Sequence, residues 1–140
     1  MMQIKLRNFT LANDRPFVFI GGPDSLESME HALMMASAIK KICASLGIPY
    51  VFKASYDKAN RTSAKSFRGV GVKKGIEIFQ AIQKKLKLPV TTDFHSVEEA
   101  KTIGPVVDIL QVPALLSRQT DLIQAAAKHA AIVNIKKGQF

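Results

Sequence analysis

Residues 49–62 read PYVFKASYDKANRT, in which a short apolar run meets a polar segment without any spacer. Pro49 to Phe52 is brief, apolar and rich in strand-forming residues, a pattern typical of a buried strand. Lys53 and Ser55 follow at once, and a loop with several cations comes next. The pattern predicts a strand that delivers polar side chains from its carboxyl end into a loop.

Runs of the same kind recur along the chain and alternate with amphipathic stretches. This alternation is typical of βαβ units around a parallel sheet. We predict five strands, at Phe17 to Ile20, Pro49 to Phe52, Leu88 to Thr91, Val106 to Leu110 and Ala131 to Ile135. Before them, the alternation from Ile4 to Leu11 predicts a small hairpin or cap.

Four stretches between or after these runs have helical spacing. The apolar face of the first runs from Leu26 to Leu46 and includes Cys43, with Gly47 as its terminator. That of the second runs from Val72 to Leu86. Ser96 and Glu99 predict a capping box for the third, and the fourth is expected to start near Ser117 and to bury Leu122, Ile123 and Ala126.

The spacing of the strands matches a β/α barrel, in which roughly 250 residues close eight strands. We therefore predict a single domain over residues 1–140 with a partial TIM-type barrel of about five strands. A small open doubly wound sheet is the alternative. A partial barrel would leave its first and last strands as open edges, exposing Phe17, Phe19, Val133 and Ile135.

The composition describes a basic globular chain. Twenty Lys and Arg residues against eleven Asp and Glu residues give a net charge of +9, which favours anionic ligands. The basic residues are dispersed and lack interleaved aromatic residues, so we expect no nucleic-acid partner. No secretion signal or membrane span is recognisable, which predicts a cytoplasmic chain with no membrane partner. The one cysteine, Cys43, is interpreted as a core residue.

Polar residues follow each predicted strand. The carboxyl ends of barrel strands surround one open mouth, so Lys53, Asp93, Gln111 and Lys136 are expected to converge there. Lysines at strand ends need a counter-charge because burial of an isolated ammonium is costly. They meet either a ligand anion or a carboxylate such as Asp93. The loop from Tyr56 to Thr62 has the cations for a phosphate site, and a plain solvated loop is the alternative.

Five segments together resemble the successive motifs of one enzyme family. They are Gly47 to Arg61, Thr91 to His95, Gln111 to Ala114, Arg118 to Asp121 and Asn134 to Phe140. Their order and content are similar to the N-terminal portion of 3-deoxy-D-manno-octulosonate 8-phosphate synthases, also called 2-dehydro-3-deoxyphosphooctonate aldolases. The run KASYDKANR is the most specific of these motifs.

The resemblance implies a cytoplasmic homotetramer that joins phosphoenolpyruvate to arabinose 5-phosphate and releases phosphate, for lipopolysaccharide biosynthesis. It implies phosphoenolpyruvate contacts from Lys53, Lys58, Gln111, Pro113, Ala114 and Lys136. Sugar contacts would come from Ser55, Asn60 and Asp93, and sugar-phosphate contacts from Arg61, Thr62 and Arg118. No general acid or base is identified, and Lys58 and Lys136 are the catalytic candidates.

Two departures from the family bear on its chemistry. Asp24 stands where the family carries Cys or Asn, and we interpret it as a helix N-cap three residues before Glu27, with a divalent-metal ligand as the alternative. The family's later Arg, His, Glu and Asp residues have no counterpart in these 140 residues, so a metal ligand set would be incomplete. We expect this chain alone to be inactive. A non-catalytic half-barrel that binds sugar phosphate or assembles with a complementary half is the alternative function.

Overall fold

The computed structural model describes residues 3–138, so Gln139 and Phe140 at the end of the last motif lie outside the described part. A small hairpin precedes an alternating series of strands and helices. In chain order the elements are β1 (Ile4–Leu6), β2 (Phe9–Leu11), β3 (Phe19–Gly21), α1 (Met29–Ser45), β4 (Tyr50–Lys53), α2 (Gly71–Leu86), β5 (Val90–Asp93), α3 (Val97–Ile103), β6 (Ile109–Val112), a 3-10 turn (Ala114–Leu116), α4 (Thr120–His129) and β7 (Val133–Ile135).

The five strands β3 to β7 form one parallel sheet whose spatial order follows the chain. The sheet is curled into a half-barrel with helices between its strands. A doubly wound sheet reverses its strand order at a switch point, and this sheet has no such reversal among the described residues. The prediction of a partial TIM-type barrel is confirmed, as is the antiparallel hairpin of β1 and β2.

Most strands begin and end later than the sequence predicts. Asp93 lies within β5 and pairs with Gln111 of β6, and Lys53 closes β4 and pairs with Thr91. The apolar pattern stops before these polar residues, whereas the backbone ladder continues because each strand has a hydrogen-bonded neighbour. The polar side chains therefore project from regular sheet and not from the loops that follow it.

Alternation along the strands separates two layers. Phe52, Val90 and Leu110 pack with the helices in the main core, where all three are fully buried. The opposite, concave face has a smaller cluster in which Val51 and Ile109 pack with Leu6 of the hairpin. The hairpin thus covers the amino-terminal end of the concave face. Two residues further along the same strands, Lys53 and Gln111 share this face at its open, carboxyl end.

The helix boundaries confirm part of the predicted chemistry. Gly47 has a φ of 65° and follows α1 in the left-handed conformation expected of a helix terminator. Ser96 caps α3 by accepting a hydrogen bond from the Glu99 N–H over 3.1 Å. The reciprocal bond of a capping box is displaced by one residue, because the Glu99 carboxylate accepts from the N–H of His95 and not from that of Ser96.

Three details of the helices differ from the prediction. Leu46 is 66% exposed, because it follows the last turn of α1 and no longer lies on its buried face. The fourth helix begins at Thr120 and not near Ser117, since Ser117 still ends the 3-10 turn of Ala114–Leu116 and the N-cap of α4 is Gln119. Ile123 is only partly buried, and Ala125 is buried instead. Within residues 3–138, no helix combines the length and apolar character needed to cross a membrane.

Among the described residues, β3 and β7 each have a strand neighbour on one side only. The apolar side chains near these edges are open to solvent: Phe17 is 67% exposed, Phe19 41% and Ile135 47%. Val133, which we also expected to be exposed, is partly buried against the core. The edges therefore favour association, because burying apolar surface stabilises a complex by about 25 cal/mol per Å².

We expect the 140-residue chain to associate through these edges or to bind a hydrophobic dye strongly. Phe19→Lys combined with Ile135→Lys should reduce both effects, because charges at open edges oppose strand pairing. Sedimentation over a range of concentrations and dye fluorescence measure them. Ala127→Lys, on the exposed side of α4, adds charge away from the edges and is the control. A monomer with a sharp two-state unfolding transition and no dye binding would contradict this expectation.

Candidate functional site

The carboxyl ends of the strands surround a cleft of about 620 Å³. Lys53, Asp93 and Gln111 reach it from β4, β5 and β6, and Lys136 reaches it just after β7. Their convergence at one end of the sheet agrees with the expectation from their strand-end positions. The lining also includes the predicted residues Asp24, Ser55, Lys58, Asn60, Pro113 and Ala114.

At the centre of the cleft, Lys53 and Asp93 form an ion pair with 2.9 Å between Nζ and Oδ1. Ser55 Oγ lies 3.1 Å from the same ammonium and donates a short hydrogen bond to the same carboxylate oxygen. Lys53 and Asp93 come from the adjacent strands β4 and β5, and Ser55 lies two residues after the end of β4. Lys53 is therefore compatible with both predicted partners: it is paired with the Asp93 carboxylate, and it also faces the cleft, where a ligand anion could bind.

This pair is mostly shielded from solvent, which perturbs both groups. Burial raises the pKa of Asp93, but the His95 ring, the Lys53 charge and the Ser55 hydroxyl outweigh it and hold that pKa well below its ordinary value. Burial lowers the pKa of Lys53, and the attraction of Asp93 opposes this shift. Asp93 is therefore ionised at neutral pH.

His95, Glu99 and Tyr56 form a connected set of polar groups next to Asp93. The His95 ring nitrogen Nε2 lies 3.4 Å from Asp93 Oδ2. The Glu99 carboxylate accepts a 2.6 Å hydrogen bond from the backbone N–H of His95 and a 3.0 Å hydrogen bond from the Tyr56 hydroxyl. Tyr56 is fully buried, which raises the pKa of its phenol, and the Glu99 charge raises it further. The KASYDKANR segment is thus anchored through Tyr56 to the start of α3.

Two glycines permit close backbone approaches around this segment. A Cβ on Gly22 would lie 2.2 Å from the carbonyl oxygen of Lys53, so the chain after β3 crosses directly over the end of β4. A Cβ on Gly75 would lie 2.6 Å from Cβ of Tyr56, so α2 packs closely on the anchored tyrosine. No local sequence pattern marks Gly22 as the residue that permits the first approach.

The interpretation of Asp24 as a helix N-cap was wrong. Ser28 caps α1 by accepting from the His31 N–H over 3.0 Å, because α1 starts at Met29 and the cap lies immediately before it. The Asp24 carboxylate turns to the loop after β4, where Oδ1 lies 2.6 Å from Lys58 Nζ and Oδ2 lies 3.5 Å from the Arg61 guanidinium. Asp24 and its loop cations form a cluster at the rim of the cleft.

Three predicted residues are not among those that line the cleft. Arg61 points to the rim, where it contacts Asp24 and donates to the carbonyl of Phe67, while Thr62 and Arg118 are exposed on the surface. Conversely, Leu115 and Leu116 line the cleft although no site pattern marked them. Their position follows from the 3-10 turn, for which Pro113 was the only local signal.

The described residues do not fit a metal ion by themselves. Within residues 3–138, no three His, Cys, Asp or Glu side chains come together as a ligand set. The Asp24 carboxylate, the candidate ligand, is instead paired with two cations. We therefore derive no step of the chemistry through a metal.

A polar, cationic cleft at the carboxyl ends of parallel strands is the arrangement of a β/α-barrel enzyme mouth. Comparison with known sequences is more specific: the model of the DAHP synthetase I family matches residues 1–140, and the chain belongs to that family.

The curated relatives support the more specific resemblance. Proteins named 2-dehydro-3-deoxyphosphooctonate aldolase from Parasynechococcus marenigrum (strain WH8102) and Prochlorococcus marinus (strain MIT 9313) are each 55% identical, over 138 and 137 residues. One from Brucella anthropi is 50% identical over 137 residues. These matches cover 98–99% of this chain and 48–50% of each relative. The chain spans about half the length of the curated relatives it matches.

The effect of Asp93 on stability should depend on pH. Its pKa is lower in the folded chain than the ordinary value of 3.8, so the folded chain binds fewer protons and Asp93 stabilises it above that value. This contribution is lost as the pH falls through the lower, folded pKa. Asp93→Asn should therefore cost about 1–3 kcal/mol of unfolding free energy at neutral pH, and less at about pH 2.

Urea unfolding of both chains from about pH 7 to pH 2 measures this difference. Asp14→Asn, which removes an exposed carboxylate near the hairpin, is the control. A cost for Asp93→Asn that stays constant over the whole range would contradict the assignment of the ion pair.

Proposed function

We propose that this chain supplies the substrate-binding strands of a 3-deoxy-D-manno-octulosonate 8-phosphate synthase. The reaction joins C3 of phosphoenolpyruvate to the aldehyde carbon of arabinose 5-phosphate, adds water at C2 and releases phosphate. The product serves lipopolysaccharide biosynthesis, and the working protein is a cytoplasmic homotetramer. The observation that supports this best is the Lys53–Asp93 pair, set in a cleft with Lys58 and Lys136.

The substrates explain why such a cleft needs several cations. Two phosphates and one carboxylate must be brought close together, and their mutual repulsion has to be offset by fixed positive charges. Lys53 and Lys58 are held by carboxylates, while Lys136 has no ion-pair partner among the described residues and is exposed toward the cleft. Lys136 is therefore ready to meet a ligand anion without losing an internal partner.

Different side chains in the cleft suit different parts of the substrates. Lys53, Lys58 and Lys136, with Gln111 and the backbone near Ala114, would hold phosphoenolpyruvate. Asp93 is an ionised acceptor that suits the sugar hydroxyls, together with Ser55 and Asn60. The sugar phosphate would lie at the rim with Arg61, and the exposed Thr62 and Arg118 would also contact it, partly across a subunit interface. Lys58 and Lys136 remain the candidates for proton transfer at the reacting carbons.

The chain alone is proposed to be inactive. Its sheet has two unpaired edges among the described residues, so the strands do not form a closed ring around the cleft. Efficient departure of phosphate from C2 needs stabilisation of the developing negative charge in a site that controls the access of water. The relatives are about twice as long, which leaves room for further strands on both edges.

Phosphate release with both substrates present tests this directly. We expect no release above background from the purified 140-residue chain. We expect activity when a chain corresponding to the second half of a relative is added, because it would close the cleft. Activity of the chain alone would contradict its proposed inactivity. Failure of every complementing half, together with no binding of either substrate, would contradict the proposed function.

The alternative is a non-catalytic half-barrel that only binds sugar phosphate, and the exposed edges favour it as an assembly module. Calorimetry separates binding from catalysis. Arg61→Ala should weaken arabinose 5-phosphate roughly tenfold, and Lys136→Ala should weaken phosphoenolpyruvate by a similar factor, because each removes one charged hydrogen-bond donor to an anion. Arg15→Ala removes an exposed cation outside the cleft and is the control. No binding at millimolar ligand would remove both functions.

A further inference from the structure

The Asp24 carboxylate bridges the two cations that follow β4. Its Oδ1 lies 2.6 Å from Lys58 Nζ and its Oδ2 lies 3.5 Å from Arg61. The Lys58 side chain is 17% exposed, whereas that of Asp24 is 68% exposed. A solvated carboxylate thus covers a largely buried ammonium at the rim of the cleft.

The backbone holds Asp24 in this place. The Asp24 carbonyl accepts a 3.3 Å hydrogen bond from the Ser55 N–H, and the Leu26 N–H donates over 2.9 Å to the Ser55 carbonyl. Ser25 and Ser55 form a parallel bridge between these bonds. The Asp24 backbone is therefore tied to the segment that leads into the cationic loop, while its side chain remains able to turn toward water.

The hydrogen bond from Lys58 and the nearby charges lower the pKa of Asp24, although partial burial opposes them. The carboxylate is therefore an anion throughout the neutral range. It occupies the same donors that a phosphate would use, since both groups present oxygen acceptors to Lys and Arg.

We propose that Asp24 is an internal counter-anion that competes with phosphorylated substrate for Lys58 and Arg61, and so sets the affinity of the site. This inference rests on the proposed function, in which those two cations bind substrate. On binding, phosphoenolpyruvate takes the Lys58 donors, the sugar phosphate takes those of Arg61, and the Asp24 side chain turns out to solvent. No covalent bond is made or broken in this exchange.

We expect Asp24 to weaken ligand binding by competition more than it strengthens binding by holding Lys58 and Arg61 in place. A phosphate dianion beside Lys58 would lie within a few ångströms of the Asp24 carboxylate, and like charges at that distance repel even in partly solvated surroundings. Lys58 is mostly buried and tied to the loop by the backbone bond from its N–H to the Arg68 carbonyl, so it keeps its position without Asp24. Release of the cations is then the main effect of removing the charge.

Calorimetric titration with phosphoenolpyruvate at constant ionic strength tests the proposal. Asp24→Asn should tighten binding about two- to fivefold, the range expected for loss of an exposed competing pair. Asp24→Glu, which keeps the charge, should bind like the unchanged chain. Asp57→Asn is the matched control: it changes the net charge equally, next to Lys58 in the loop after β4, but its partner Arg68 lies outside the cleft lining. We expect it to alter the affinity less than twofold.

Each outcome decides the question. Equal or weaker binding by Asp24→Asn, while the unchanged chain binds, would overturn the competition and leave the proposed function standing. Tightening by Asp57→Asn to the same degree would also overturn it, because net charge would then explain the effect. No binding by any of the four chains at millimolar ligand would overturn both. Asp24→Ser, which is neutral and smaller, should reproduce the gain if the asparagine variant misfolds.

Discussion

The buried ion pair between Lys53 and Asp93 is the constraint on which the rest of the site depends. Neither charge is tolerable alone at that depth, so the two strand ends must lie side by side in one register. A parallel sheet meets this need because every strand ends at the same edge. Val51, two positions before Lys53, packs with the hairpin at the other end of the same concave surface. The pair therefore marks the point at which a packed core becomes a polar mouth.

Around that pair, the loops are held by contacts that are distant in sequence. Tyr56 fixes the cationic loop to α3 through Glu99, and Gly22 lets the chain after β3 pass directly over Lys53. These two contacts bring Asp24 over Lys58. The result is a cationic cleft in which Lys53 and Lys58 are already compensated by carboxylates, so a ligand that binds either of them must exchange with an internal partner.

Much of the fold and the centre of the site could be predicted from the sequence. Apolar runs and strand-end polarity are local signals, and they placed Lys53, Asp93 and Gln111 at one mouth. The interpretation of Asp24 as a helix N-cap failed because Ser28, four residues later, caps the helix. Asp24 instead pairs with Lys58, a contact over 34 residues that no local pattern indicates. The position of Arg61 at the rim could not be predicted either. The conformation of its loop depends on tertiary contacts, such as that of Gly75 with Tyr56, and these contacts leave no local sequence pattern.

The central claim is that the carboxyl end of this half-barrel binds a phosphorylated anion. A crystal structure of the chain soaked with phosphoenolpyruvate tests it most directly. We predict ligand density in the cleft, with phosphate or carboxylate oxygens about 3 Å from Lys53, Lys58 or Lys136. Density only at the opposite, hairpin end near Lys5 and Arg7, or an empty cleft at saturating ligand, would contradict the account.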